Sequence, residues 1–369
     1  MSSYFVNELH FYPTVLVLAG VTCYSAAHFQ KGSKPMQRTA IALFSGGLDS
    51  TLAIRLMQVQ GINVHAIHFT SPFFGVSPES DSGKYDARRA AEVLGVKLTI
   101  HQLGEEYLEM LRNPQHGYGK AINPCIDCHI YFLKKAAELM RETGADFVIT
   151  GEVMGQRPMS QRKDALKTVE RGCGLEGLLL RPLSAKLLDP TTPEKEGWVD
   201  REKLPAVKGR SRKDQFRLAA ELGVTEYPNP AGGCLLTETT YESKVRDIFS
   251  HRQKLVSRDF RLLRLGRHFR LNDDIKVIIG RNESENSILT AMREPDEQII
   301  RWEDGSSPTG LICGTVTGGD LQIAAKIMLR YTKAAKGESC RVSVSSGEEL
   351  AVLDVINDLD EAGVEKFRV

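Results

Sequence analysis

Residues 38–69, RTAIALFSGGLDSTLAIRLMQVQGINVHAIHF, decide the fold. RTAIALF (38–44) is an apolar run of strand length, and SGGLDS (45–50) breaks it with two glycines. DSTLAIRLMQV (49–59) has helical periodicity and stops at Gly61, and NVHAIHF (63–69) returns to strand character. The pattern then recurs. A helix over 84–94 ends at Gly95, VKLTIH (96–101) is a strand, 128–143 is a helix ending at Gly144, and DFVIT (146–150) is another strand. Strands alternating with helices across Gly-bearing turns predict an α/β fold: a Rossmann-like parallel sheet with helices on both faces. Right-handed crossovers gather the strand ends, and any ligand, along one edge.

Outward from this core, 369 residues make about two domains at roughly 150 residues each. Hydrophobic residues at 41% and charged residues at 26% exclude a disordered or low-complexity chain. No clean apolar run of membrane-spanning length is present, which excludes a multi-span membrane protein and predicts no membrane partner. The net charge is +1, so a basic surface must come from segregated charge. Residues 11–28 (FYPTVLVLAGVTCYSAAH) are moderately apolar, but no Lys or Arg precedes them and Pro13 interrupts early. A signal peptide needs a basic leading segment. Residues 1–37 therefore read as an extension outside the fold, with Met36 an alternative start, and the protein reads as cytoplasmic. Residues 186–209 and 226–237 are Pro- and Gly-punctuated loops, and from Lys244 to Arg270 there are nine Lys/Arg against two Asp. That shift divides the chain into 38–245 and a smaller α+β domain, 246–369.

In SGGLDS, two glycines let the backbone turn sharply and point N–H groups inward. Ser45 and Ser50 add hydroxyls, and the following helix adds its positive end. Ser45, Gly46, Gly47 and Ser50 thus form an anion nest. It is not a Walker A loop, because the Lys-Ser/Thr ending is missing. Asp49 at the mouth would repel a phosphate unless a cation intervenes, which points to Mg²⁺ beside Asp49. The competing reading is a Gly-Gly turn with Asp49 or Ser50 as a helix cap.

SGGLDS resembles the PP-loop signature of the ATP pyrophosphatases. Thr150-Gly151-Glu152-Val153-Met154-Gly155-Gln156, followed by Ser160-Gln161, is similar to the TGE-x-x-GQ-x-x-SQ segment of the tRNA 4-thiouridine synthases, and Arg181-Pro182-Leu183 to their RPL segment. The resemblance covers roughly 38–240. It implies the PP-loop type of adenine-nucleotide fold, with ATP as cofactor, tRNA as partner, adenylation of a carbonyl oxygen and displacement of AMP by sulfur. It also implies that His68, Phe69 and Thr70 face the adenine, and that Thr150, Gly151, Glu152 and Gln156 complete the ATP site, with Glu152 and Gln156 near Mg²⁺ or the base. Those synthases usually carry an RNA-binding module ahead of the PP-loop domain, and 1–37 is too short for one. Some carry a C-terminal rhodanese that delivers sulfur, and none is visible here.

Seven cysteines are too few, in a chain this long, for a disulfide scaffold. Cys125 and Cys128 open a helix, whose N-terminus favours thiolate. Cys234 follows Gly232-Gly233, which leave room for metal or substrate. Three thiolates at Cys125, Cys128 and Cys234 suit a [4Fe-4S] cluster with one open iron, an arrangement similar to the cluster-dependent tRNA thiolases of the PP-loop superfamily. A persulfide relay between Cys128 and Cys234, or a zinc site recruiting His129, are the alternatives. Asp49, Cys125, Cys128 and Cys234 are the expected catalytic residues. Sulfur would come from a cysteine desulfurase or free sulfide. His65 and Cys173 read as packing residues.

Arg252, Lys254, Arg258, Arg261, Arg264, Arg267 and Arg270 recur every two to four residues with Phe and Leu between them. One face can bury while the other presents guanidinium groups to phosphate. Residues 269–289, with Gly280-Arg281-Asn282 and Glu285-Asn286, resemble the RNA-binding domain of the NFACT proteins. This resemblance implies RNA contacts from Arg261, Arg264, Arg267, Arg281 and Asn282. The function expected is ATP-dependent thiolation of a tRNA uridine, by an enzyme that forms a homodimer. The competing readings are a small-molecule adenylating ligase with structural zinc, and an RNA-binding adaptor with a vestigial nucleotide fold.

Overall fold

The computed structural model describes residues 37–74, 87–227 and 234–369, all within one compact unit. The expected N-terminal extension up to Met36, the start of the helix expected at 84–94, and Gly232-Gly233 lie outside the described residues.

Strands β1 (Thr39–Leu43), β2 (Asn63–Thr70), β3 (Lys97–Gln102), β4 (Phe147–Thr150) and β5 (Leu179–Leu180) form one parallel sheet in the order β3-β2-β1-β4-β5. The crossovers are helical: α1 (Leu48–Gln58) after β1, α2 (Ala87–Leu94) after β2, α3 (Glu105–Arg112) and α4 (Cys125–Thr143) after β3, and α5 (Lys163–Cys173) after β4. The expected α/β architecture is present. The expected helix at 128–143 begins three residues earlier, which puts Cys125 and Cys128 together in its first turn. The short α6 (Thr192–Lys195) and α7 (Lys213–Glu221) follow β5.

Each face of the sheet buries its own apolar layer. Leu52, Ile54 and Met57 of α1, with Ala90 of α2 and Ala219 of α7, cover one face. Tyr107, Leu108, Leu133 and Val169 of α3, α4 and α5 cover the other. Each fully buried Leu or Ile contributes about 1.5–3 kcal/mol, so the two layers hold the strand ends in fixed relation.

Helices α8 (Thr239–His251) and α9 (Ser257–Leu262) lead to a six-stranded antiparallel sheet. Its strands are β6 (Arg267–Arg270), β7 (Lys276–Ile279), β8 (Gln298–Trp302), β9 (Gly310–Cys313), β10 (Ser339–Ser346) and β11 (Glu349–Ile356), in the order β11-β10-β8-β9-β7-β6. Helices α10 (Glu283–Ala291), α11 (Gly318–Leu329) and α12 (Glu361–Glu365) complete an α+β layer. The expected boundary at 245/246 falls inside α8, whose Tyr241, Val245 and Ile248 belong to the same apolar layer as α4. The basic stretch 244–270 is also not one stripe. It is divided among the end of α8, the short α9 and strand β6. Among the described residues no helix is long and apolar enough to cross a membrane.

Candidate functional site

The strand order reverses at β1, with β2 on one side and β4 on the other. In open parallel sheets such a reversal opens a crevice at the strand ends. SGGLDS leaves β1 at that crevice, and Thr150-Gly151-Glu152 leaves β4. The two turns touch. A Cβ on Gly151 would lie 2.6 Å from the Ser50 amide nitrogen and 2.7 Å from the Asp49 carbonyl carbon, so only glycine permits the contact. Gly46 adopts φ +76°, the left-handed conformation that glycine reaches without a Cβ penalty. The turn is braced from inside: Ser45 and Ser50 hydroxyls are 3.1 Å apart, and the Ser50 hydroxyl donates to the Gly47 carbonyl at 3.0 Å. Gly47 caps α1 with extended backbone and no side chain, leaving the helix end open to an anion.

Asp49 faces this turn. Its Oδ2 accepts from Gln156 Nε2 at 3.1 Å. Its Oδ1 is buried and has no hydrogen-bond donor among the described residues. A buried carboxylate oxygen without a donor is costly unless a cation meets it, so the residues fit a Mg²⁺ held at Asp49. The adenine-side residues separate. His68 Nδ1 lies 2.8 Å from the Phe44 carbonyl, and His68 and Thr70 are half-buried. Phe69 is buried and stacks on Phe132 at 4.8 Å, in the core.

Glu152 anchors a buried charge network that the sequence did not reveal. Its Oε2 accepts from Arg181 Nε at 2.9 Å and from the Thr150 hydroxyl at 3.0 Å, and its Oε1 lies 2.9 Å from His129 Nδ1. Arg181 also donates to Glu170 at 3.1 Å and to the Leu166 carbonyl at 3.2 Å. Burial alone would raise the Glu152 pKa, but the Arg181 and His129 charges and hydrogen bonds outweigh it and hold it at about 2. Arg181 lies in the segment resembling RPL, yet nothing local in the sequence pairs it with residue 152. A cavity of about 280 Å³ opens behind Arg181 at the β5 edge, away from SGGLDS. Its Lys167–Asp189 and Arg181–Glu170 charges are already paired.

The three expected cysteines converge: Cys128 feels the field of Cys234 and Cys125, and Cys234 that of Cys125. Their protonation differs from the expectation. Burial, not the helix end, dominates: it raises the Cys125 pKa, pushes Cys128 well above the ordinary thiol range and sends Cys234 up to about 11. The Cys128 sulfur is buried 3.2 Å from the Tyr107 hydroxyl. Among the described residues no group of three or more His, Cys, Asp or Glu side chains is arranged to hold a metal ion. This arrangement therefore does not fit a ready-made cluster or zinc site. His65 and Cys173 are buried, His65 against the Thr99 hydroxyl at 2.8 Å.

Most of the basic run is committed to ion pairs. Arg258 pairs with Glu297, Arg270 with Asp247 at 2.8 Å, Lys254 with Glu105 at 2.9 Å and Arg252 with Asp259 at 3.7 Å. Arg267 lies 4.4 Å over the Tyr331 ring. Arg281 folds back on Glu285, and Asn282 caps α10 by accepting from the Glu285 amide at 3.0 Å. Arg261 and Arg264 are exposed, with no carboxylate partner among the described residues.

Two family models match the chain. Residues 35–186 match the one described as Thiamine biosynthesis protein (ThiI), and residues 266–368 match the NFACT protein RNA binding domain. The tRNA-specific 2-thiouridylase MnmA of Syntrophotalea carbinolica is 33% identical over 128 residues, covering 32% of this chain and 35% of that protein. The probable tRNA sulfurtransferase of Methanothermobacter thermautotrophicus is 30% identical over 121 residues, covering 32% of this chain and 30% of that protein. Among solved structures, a 4-thiouridine synthetase–RNA complex with bound ATP shares 20% identity over 61% of this chain and 52% of that one, at a TM-score of 0.34, too low to bear on the fold. The chain spans about a third of the length of the first of these curated relatives. SGGLDS, at the reversal of the parallel sheet, lies in the segment similar to the ThiI model, and the antiparallel layer lies in the segment similar to the NFACT RNA-binding-domain model.

Proposed function

We propose that this protein is an ATP-dependent tRNA thiolation enzyme. In this reading residues 38–245 carry the chemistry and 246–369 hold the RNA. The observation that carries it is the contact of Gly151 with Ser50 and Asp49, which closes the SGGLDS and TGE turns into one anion-receiving edge. ATP binds there through Ser45, Gly46, Gly47 and Ser50, with His68 and Thr70 toward the base. A uridine carbonyl oxygen attacks the α-phosphorus, a P–O bond forms, and pyrophosphate leaves into the nest. Mg²⁺ held at Asp49 would neutralise charge on the diphosphate. Sulfur then attacks the activated carbon, a C–S bond forms, the C–O bond breaks, and AMP departs.

Cys125, Cys128 and Cys234 supply that sulfur. This reading takes the persulfide route rather than the cluster, because two thiols suffice for it. One cysteine carries, as a persulfide, the sulfane sulfur handed over by the persulfide of a cysteine desulfurase, whereas free sulfide would attack the activated carbon directly. After transfer a second cysteine closes a disulfide, which an outside thiol must reduce. The target base must leave its stack for its carbonyl to meet the α-phosphorus. The protein works in the cytoplasm in this reading.

The test is ATP-dependent incorporation of radiolabelled sulfur into tRNA, with a desulfurase or sulfide supplied. No incorporation, with ATP turnover indifferent to tRNA, would overturn the proposal in favour of a small-molecule adenylating ligase. Anaerobic purification with a UV–visible spectrum and iron and zinc analysis separates persulfide from cluster.

A further inference from the structure

Between the nucleotide turn and the thiols lies the loop 155–161. One side is fastened to the nucleotide turn, through Gln156 Nε2 on Asp49 Oδ2 at 3.1 Å. The other side abuts the segment leading into Cys125, since a Cβ on Gly119 would come within 3.2 Å of the Met159 methyl carbon. That segment is tied to the Cys234 strap, because the Ile122 amide donates to the Leu236 carbonyl at 3.1 Å. The loop is held rigid by its own bonds: the Arg157 amide donates to Gln161 Oε1 at 3.0 Å, and the Gln161 amide to the Arg157 carbonyl at 3.1 Å.

Arg157 projects from this loop. It is exposed, and its guanidinium has no carboxylate partner among the described residues. Glu152 is compensated by Arg181 and His129 and Glu170 by Arg181, whereas Asp49 meets only the neutral Gln156. Arg157 acts on both Cys125 and Cys234, drawing their thiols down against burial.

An uncompensated arginine on a loop braced between the nucleotide turn and the segment leading into the thiols is placed for an anion that spans the two. We infer that Arg157 is a further catalytic residue, holding the phosphate of the adenylated base while sulfur displaces AMP. It is one of three residues, Arg157 to Met159, between Gly155-Gln156 and Ser160-Gln161, one more than the GQ-x-x-SQ pattern has, so the pattern does not assign it. The planar fork suits a phosphate bidentately, and the negative charge that grows on departing AMP is the charge it would stabilise. This inference rests on the thiolation reading for its substrate, while the positive field at the thiols is independent of that reading.

Two measurements on the full chain test it. In the first, protein treated with chelator under anaerobic conditions is alkylated with iodoacetate and, separately, with iodoacetamide, and the rates at Cys125 and Cys234 are read by mass spectrometry. Both reagents meet the same thiolate, so their rate ratio cancels thiol acidity and reports the local field on an anion. Arg157→Gln should lower the iodoacetate-to-iodoacetamide ratio about threefold or more at both cysteines, and Arg157→Lys should restore much of it. An unchanged ratio in Arg157→Gln overturns the inference.

The second measurement separates the half-reactions. The single-turnover rate of pyrophosphate release with tRNA should stay within about threefold in Arg157→Gln, while sulfur incorporation falls about thirtyfold, in kcat rather than KM for ATP. An active wild type with an unimpaired Arg157→Gln defeats the inference and leaves the thiolation reading intact. A wild type that neither releases pyrophosphate nor incorporates sulfur defeats the thiolation reading and the catalytic role with it, whatever the alkylation ratio.

Discussion

The sheet edge at SGGLDS and the basic run at 244–270 are both rich in motif-like residues, but they use them differently. At the edge, residues from separate segments converge. Asp49, Gly151, Gln156 and the three cysteines meet at one end of one parallel sheet. In the basic run, residues close in sequence disperse over two helices and a strand, and five of the nine cations form ion pairs. Motif residues were informative because their backbone geometry is local. Evenly spaced arginines were not, because the identity of a cation's partner depends on what packs opposite.

The largest effect that would sharpen this contrast concerns stability. Arg181→Met removes the guanidinium shared by the buried Glu152 and by Glu170, leaving Glu152 only His129 and the Thr150 hydroxyl, and should cost about 3–5 kcal/mol in urea denaturation. The pH dependence carries the same sign. Glu152 has a folded pKa of about 2 against an ordinary 4.5, so its contribution is present above about pH 4.5 and is lost as pH falls toward 2. Urea midpoints measured through that window should fall less steeply for Glu152→Gln than for wild type.

Next is chemistry without unfolding. Asp49→Asn should lower ATP turnover about a hundredfold or more while shifting the melting temperature by only a degree or two. A large melting shift instead would make Asp49 a structural cap. Gly151→Ala tests the contact itself. With backbone 2.6 Å from its Cβ, the two turns must separate, and nucleotide affinity should drop at least tenfold.

The smallest effect divides the arginines. Arg261→Gln with Arg264→Gln should weaken tRNA binding about tenfold and reduce the slope of log affinity against log salt by about two, with stability unchanged. Arg270→Ala should do the opposite. It should melt earlier, because Asp247 loses its bidentate arginine and keeps only Lys276 and His251, and its salt slope should stay close to wild type. Identical salt slopes for the two sets would dissolve the distinction.

The strand–turn–helix alternation, the parallel class of the sheet and the SGGLDS nest were legible in the sequence. Each follows from apolar period and from glycine's freedom over a handful of neighbouring residues. Three features were settled only by tertiary packing: the meeting of Gly151 with Ser50, the pairing of Arg181 with Glu152, and the protonation of the cysteines. Cys125 and Cys128 do open a helix, as their spacing suggested, yet that helix end is buried, and desolvation of a thiolate outweighs the helix dipole. Short-range backbone preference is written in the chain, whereas the dielectric and charge surrounding a side chain are set by residues far away along it.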